Sequence, residues 1–127
     1  MKKFSLRDRI KSFKYAGEGI GYLFRTQHNM WIHAGAAFGA IALGYAFEIT
    51  TTEWCLVIFA IGFVFSAEVF NTAIEVLTDL VSPGYNDKAK AAKDLAAAGV
   101  LFAAGTALLV ALIVFGERIF NIVFSLS

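Results

Sequence analysis

Four polar side chains, Glu68, Asn71, Glu75 and Asp79, recur inside an otherwise apolar stretch. At about 100° per residue, steps of three, four and four bring them within roughly 80° of one another on one helix face. Glu68 and Glu75 then stand two turns apart, roughly 10 Å along the axis. Residues 54–67 carry no charge, so a helix holding this stripe is already in apolar surroundings when the first carboxylate arrives. Ionisable groups at such depth are costly and persist by facing a bundle interior, water or a cation. A polar seam can glue helices together, with Asn71 and Thr72 as interhelical hydrogen-bonding groups. Three carboxylates and an amide are more than gluing needs, and a cation site is the stronger reading. Mg²⁺ takes hard oxygen ligands, usually one or two carboxylates plus substrate phosphates. Phosphoryl transfer needs positioning, charge neutralisation and a group that takes the proton of the attacking hydroxyl. A carboxylate withdrawn from water suits that last task, because desolvation disfavours its charged form. The sequence has no P-loop and no protein-kinase signature, so a nucleotide site here is of another kind. His28 and His33 are off the same-face spacing of a metal pair and read as packing or hydrogen-bonding groups.

The elements that must position this stripe read as membrane helices. The chain has 127 residues, one domain's worth, with 58% hydrophobic residues and Phe 13 times. A single Pro and eleven Gly, most of them within apolar runs, suit spans better than a loop-rich soluble fold. The expected fold is an all-α membrane protein, with a surface helix over 1–28 and spans over 30–48, 54–78 and 95–116. In the first of these segments Ile10, Phe13, Ala16, Ile20, Leu23 and Phe24 recur at steps that make one apolar face, with Lys11, Lys14 and Glu18 largely off it. That is the pattern of a helix lying in the interface. Gly17, Gly19 and Gly21 weaken it and mark a bend or a close approach. His33 is the one ionisable group early in the first span, and Gly35, Gly39 and Gly44 give that span small surfaces for packing. Residues 79–94 read as a polar loop, broken at Ser82, Pro83 and Gly84.

Topology follows from Lys and Arg. Lys2, Lys3, Arg7, Arg9, Lys11, Lys14 and Arg25 lie before the first span, and Lys88, Lys90 and Lys93 between the second and third. The first inter-span turn has none and the tail only Arg118. The positive-inside rule puts the N-terminus and the 79–94 segment in the cytoplasm of a bacterial inner membrane. The carboxylate stripe then lies in the cytoplasmic half of its helix. A net charge of +1 gives no reason to expect nucleic acid, and Cys55 stands alone, without a disulfide partner. No signal peptide is expected, because the N-terminal segment is charged throughout.

The run Glu68-Val69-Phe70-Asn71-Thr72-Ala73-Ile74-Glu75, then Asp79 and Lys93-Asp94, resembles the signature of the prokaryotic diacylglycerol kinase family, which includes undecaprenol kinases. The likeness extends through Arg25-Thr26-Gln27-His28-Asn29 and Ile32-His33 and covers nearly the whole chain. It implies a small homotrimeric lipid kinase, with sites built between subunits near the cytoplasmic surface, ATP as co-substrate, Mg²⁺ as cofactor and diacylglycerol or undecaprenol as acceptor. By that resemblance Glu68 is the catalytic base, Glu75 a metal and ATP ligand, and Asn71 and Asp79 support them. Lys93, Asp94, Gly84, Tyr85, Asn86, Tyr15 and, less closely matched, Arg9 fall at nucleotide-binding positions. Gln27 stands where many members have a second metal-binding Glu, so this metal site is one negative charge poorer.

The residues by themselves also admit two other classes. One is an ion- or proton-coupled small membrane protein, against which the few spans and lack of an inverted repeat weigh. The other is a non-catalytic helical membrane subunit. Consumption of ATP with Mg²⁺ separates the kinase from both.

Overall fold

A computed structural model describes residues 3–126, so Lys2 of the basic N-terminal segment lies outside it. Among the described residues the chain forms four helices: α1 (Leu6–Thr26), α2 (Asn29–Ala46), α3 (Thr51–Val81) and α4 (Asp87–Ser125). Three of the four starts are capped by a side chain. Ser5 caps α1 by accepting from the Asp8 amide. Thr50 and Glu53 form a reciprocal capping box at α3, and Asn86 accepts from the Lys88 and Ala89 amides at α4. The corner between α1 and α2 is pinned by Trp31, whose Nε1 donates to the Phe24 carbonyl at 3.1 Å while the two rings meet edge-on.

The turn between α2 and α3 is the tightest place in the chain. Glu48 takes a left-handed conformation, with φ of 49°, and the Ile49 amide returns to the Gly44 carbonyl. A Cβ at Gly44 would stand 2.7 Å from the Trp54 ring, so the close approach of α2 to α3 there favours glycine. Around this turn Ile49, Val57, Val114 and Phe115 form the buried core, with Phe47, Trp54 and Val110 packed on it. Arg118 closes the same end with a two-pronged ion pair to Glu53, at 2.7 and 2.9 Å. Its guanidinium also donates to the Val114 carbonyl.

α3 and α4 pack along each other as a long antiparallel hairpin, and α2 lies against α3. Two helices, α3 and α4, are long and apolar enough to cross a membrane. Only 28% and 17% of their most apolar windows are buried within the chain, so these helices do not serve as a soluble core. Phe59, Phe102 and Ile113 are each more than three-quarters bare, and such surface calls for lipid or a second subunit. α2, expected as the first span, has 18 residues and is not one of those two helices.

Helix lengths differ from expectation. The segment 79–94 is not one long loop: α3 runs on to Val81, the break is confined to 82–86, and α4 starts at Asp87. The Asn86 cap and the ion pair from Lys90 to Asp94 support the start of α4 as a helix, and Lys93 ties it to Asp79 of α3. α4 likewise continues through Glu117 and Arg118 to Ser125.

Candidate active site

Glu68 and Glu75 of the α3 stripe meet α2 and the α1–α2 corner. Glu68 is buried, 2% exposed, and its Oε1 lies 3.0 Å from His33 Nε2. One turn further along, Asn71 and Thr72 are buried too. Glu75 is half-buried and held by two amides: Gln27 Nε2 donates to Oε2 at 3.3 Å and Asn71 Nδ2 to Oε1 at 3.4 Å. Gln27 reaches it because α1 ends there in extended backbone, with its amide returned to the Leu23 carbonyl. Asn71 Oδ1 and Thr72 Oγ1 are buried without a partner. Unpaired buried oxygens of this kind are costly and await a water, a cation or another chain.

Asp79 is exposed and paired with Lys93, and Asp94 with Lys90. Gly84, Tyr85 and Asn86 are exposed in and beside the break that joins α3 to α4. Tyr85 donates to the Asp87 carboxylate at 2.8 Å, which raises its phenol above the ordinary range by stabilising the protonated form. Arg9 and Tyr15, early in α1, are exposed and make no hydrogen bond or ion pair with the stripe; Arg9 lies over the Phe4 ring. The fold thus joins Gln27, Asn71 and Glu75 in one cluster, Glu68 with His33 in a second, and Asp79 with Lys93 in a third. It keeps Arg9 and Tyr15 apart from all three within one chain.

His33 was readable as a hydrogen-bonding group, but its partner was not, because thirty-five residues separate it from Glu68. Among the described residues no three His, Cys, Asp or Glu side chains converge as a metal cluster. The oxygens near Glu75 come instead from one carboxylate and two amides. The exchange of donor and acceptor ends of an amide is a rotation, so Gln27 and Asn71 can each turn an oxygen to a cation.

Next to this polar end lies an apolar cavity of about 270 Å³ between α2, α3 and α4. Small side chains open it, among them Ala36, Ala40, Ala60 and Ala107, and His33 is its polar edge. A buried acid therefore sits beside an apolar chamber, with hard oxygen donors two turns away and lysines across the hairpin.

Known proteins carry this arrangement's sequence. The family described as prokaryotic diacylglycerol kinase matches residues 14–115. An undecaprenol kinase of Bacillus subtilis is 40% identical over 106 residues, covering 84% of this chain and 86% of the relative. A diacylglycerol kinase of Synechocystis sp. is 36% identical over 102 residues, which is 80% of this chain and 58% of that longer relative. With a family match over most of its length and apolar helices that need a bilayer, this chain belongs to the prokaryotic diacylglycerol kinase family and is a membrane lipid kinase.

Proposed function

We propose that this kinase moves the γ-phosphoryl group of ATP onto the primary hydroxyl of diacylglycerol or undecaprenol, at the cytoplasmic surface of a bacterial inner membrane. The observation that carries the reading is Glu68, a carboxylate 2% exposed whose partner His33 edges an alanine-lined apolar cavity. The lipid's chain lies in the cavity and its hydroxyl meets Glu68. Glu68 takes the hydroxyl proton as the oxygen bonds to the γ-phosphorus, the bond to the β-phosphate oxygen breaks, and ADP leaves with that electron pair. The products are ADP and a phosphorylated lipid.

The residues around Glu75 fit a divalent cation of the Mg²⁺ type: one carboxylate, the Gln27 amide and the Asn71 amide, whose Oδ1 is partnerless. When bound with ATP, Mg²⁺ would neutralise phosphate charge. Lys93 and Asp94 at the start of α4, with Gly84, Tyr85 and Asn86 at the break, form the nucleotide side, and Asp79 holds Lys93 until ATP competes for it. Tyr15 and Arg9 of α1 join from the surface helix. α2, α3 and α4 span the membrane, the N-terminus and the 82–86 break face the cytoplasm, and α1 lies in the interface with Ile10 and Phe13 toward lipid. Three copies of the chain complete the site.

The test supplies each lipid in vesicles with γ-labelled ATP and Mg²⁺ and identifies the labelled product. Unaltered enzyme labels one of the two lipids. Glu68→Gln, which keeps the size of the side chain, should lose about 10²–10⁴-fold in turnover while assembling normally. Full turnover by Glu68→Gln would remove Glu68 as the base.

A further inference from the structure

We infer that His33 is a positioning residue for phosphoryl transfer, holding Glu68 so that one carboxylate oxygen stays turned toward the lipid hydroxyl. The inference rests on Glu68 as the base. The two carboxylates of the stripe are held differently. Glu75 has both oxygens occupied, by Gln27 and by Asn71. Glu68 has one oxygen occupied, and His33 is its one hydrogen-bond partner among the described residues. A group that takes a proton needs this half-held state. Its first oxygen anchors the side chain and the second remains an open acceptor.

The anchor is itself fixed. His33 lies two residues beyond Trp31, whose indole ties the start of α2 to the Phe24 carbonyl. The same corner carries Gln27. Gln27 and His33 therefore form two rungs that meet Glu75 and Glu68, one donor from the corner for each carboxylate. A carboxylate poised to take a proton only accepts, so His33 Nε2 is the donor in this contact. His33 also edges the apolar cavity, where the polar stripe gives way to Ala36 and Ala37. A donor at this boundary keeps the Glu68 side chain from swinging into the space that the lipid needs. Removing it leaves Glu68 buried but loose, and misplacing a reacting group by about an ångström costs on the order of 10²-fold in rate.

The test uses the full-length enzyme in lipid vesicles, with kcat, the KM for ATP and the KM for lipid measured separately. His33→Leu should lower kcat by about 10–100-fold with the KM for ATP within about twofold. His33→Gln, whose amide can reach Glu68, should return to within about fivefold of the unaltered enzyme. His33→Asn, an amide too short to reach, should behave like His33→Leu and keeps the test open if the apolar variant fails to assemble. Added to Glu68→Gln, neither damaging change should lower the residual rate further. Unchanged kcat in His33→Leu or His33→Asn would overturn the inference, as would equal losses in His33→Gln and His33→Asn, or a further loss on top of Glu68→Gln. Full turnover by Glu68→Gln alone would instead remove the base on which the inference stands. An inactive Glu68→Gln with a fully active His33→Asn would remove only the role of His33.

Discussion

Gln27 is the neutral side chain that the family resemblance sets in the metal site, and the structure gives it a neighbour. Its amide donates to Glu75 at 3.3 Å, a contact that needs no cation. Gln27→Glu would set two carboxylates in that place, which repel unless a cation lies between them. The expected outcome is a lower Mg²⁺ concentration for half-maximal rate, by several-fold at fixed ATP, and weaker assembly when metal is chelated. A titration of lipid phosphorylation against Mg²⁺ in both proteins measures this. An unchanged Mg²⁺ dependence would take Gln27 out of the metal's ligand set. The stripe itself was legible from spacing alone, because Glu68, Asn71 and Glu75 recur at helical steps. Their partners were not. His33 to Glu68 and Arg118 to Glu53 join residues far apart in the chain, and local periodicity carries no information about such pairs; Gln27 to Glu75 is equally distant, and the family resemblance, not the spacing, set those two together.

Among the elements, helix type was legible and helix length was not. Residues 79–94 are rich in Asp and Lys, which reads as a loop when each residue is weighed alone. The Asn86 cap, the Lys90–Asp94 pair within α4 and the Lys93–Asp79 pair between α4 and α3 reverse that reading, since they satisfy the same polar groups on helices. The bends have their own requirement at Gly44. Gly44→Ala raises helix propensity by about 1 kcal/mol, yet its methyl would meet the Trp54 ring at 2.7–2.9 Å and Ile49 at 3.1 Å. Overpacking of this kind costs about 1–3 kcal/mol, so the substitution should be neutral at best and lower the Tm of detergent-solubilised protein in most conditions. A raised Tm would mean that Trp54 swings away freely and that the α2–α3 turn is looser than its contacts imply.

For the whole molecule, the apolar surfaces left bare on α3 and α4, and the partnerless oxygens of Asn71 and Thr72, argue for neighbouring copies. Cross-linking in membranes should give a trimer, and a fully active monomer would contradict the proposed assembly. Arg9 and Tyr15 stand away from the stripe in one chain, so mixed assemblies are informative. Glu68→Gln combined with Lys93→Gln should regain part of the activity that each lacks alone if nucleotide groups and base come from different copies. Additive loss would assign a complete site to each chain.

The clamp between Arg118 and Glu53 also works as a depth mark. With Glu53 at the outer boundary of the bilayer, Glu68 lies about 22 Å along α3 and Glu75 about 33 Å, against a hydrocarbon layer about 30 Å thick. On the proposed reading the acid that would meet the alcohol is thus submerged in oil by several ångströms, while the oxygens that would meet the metal stand among headgroups. A neutral alcohol can descend to that level. Its phosphate ester, carrying about −1.5 to −2 charge at neutral pH, is insoluble there and must rise as it forms. With the base at that depth, the bilayer would favour release of what the enzyme makes. Added phosphorylated lipid should therefore inhibit weakly even when it equals the substrate, whereas an uncharged ether analogue of the alcohol should compete well. Strong inhibition by the product would put Glu68 in the headgroup layer.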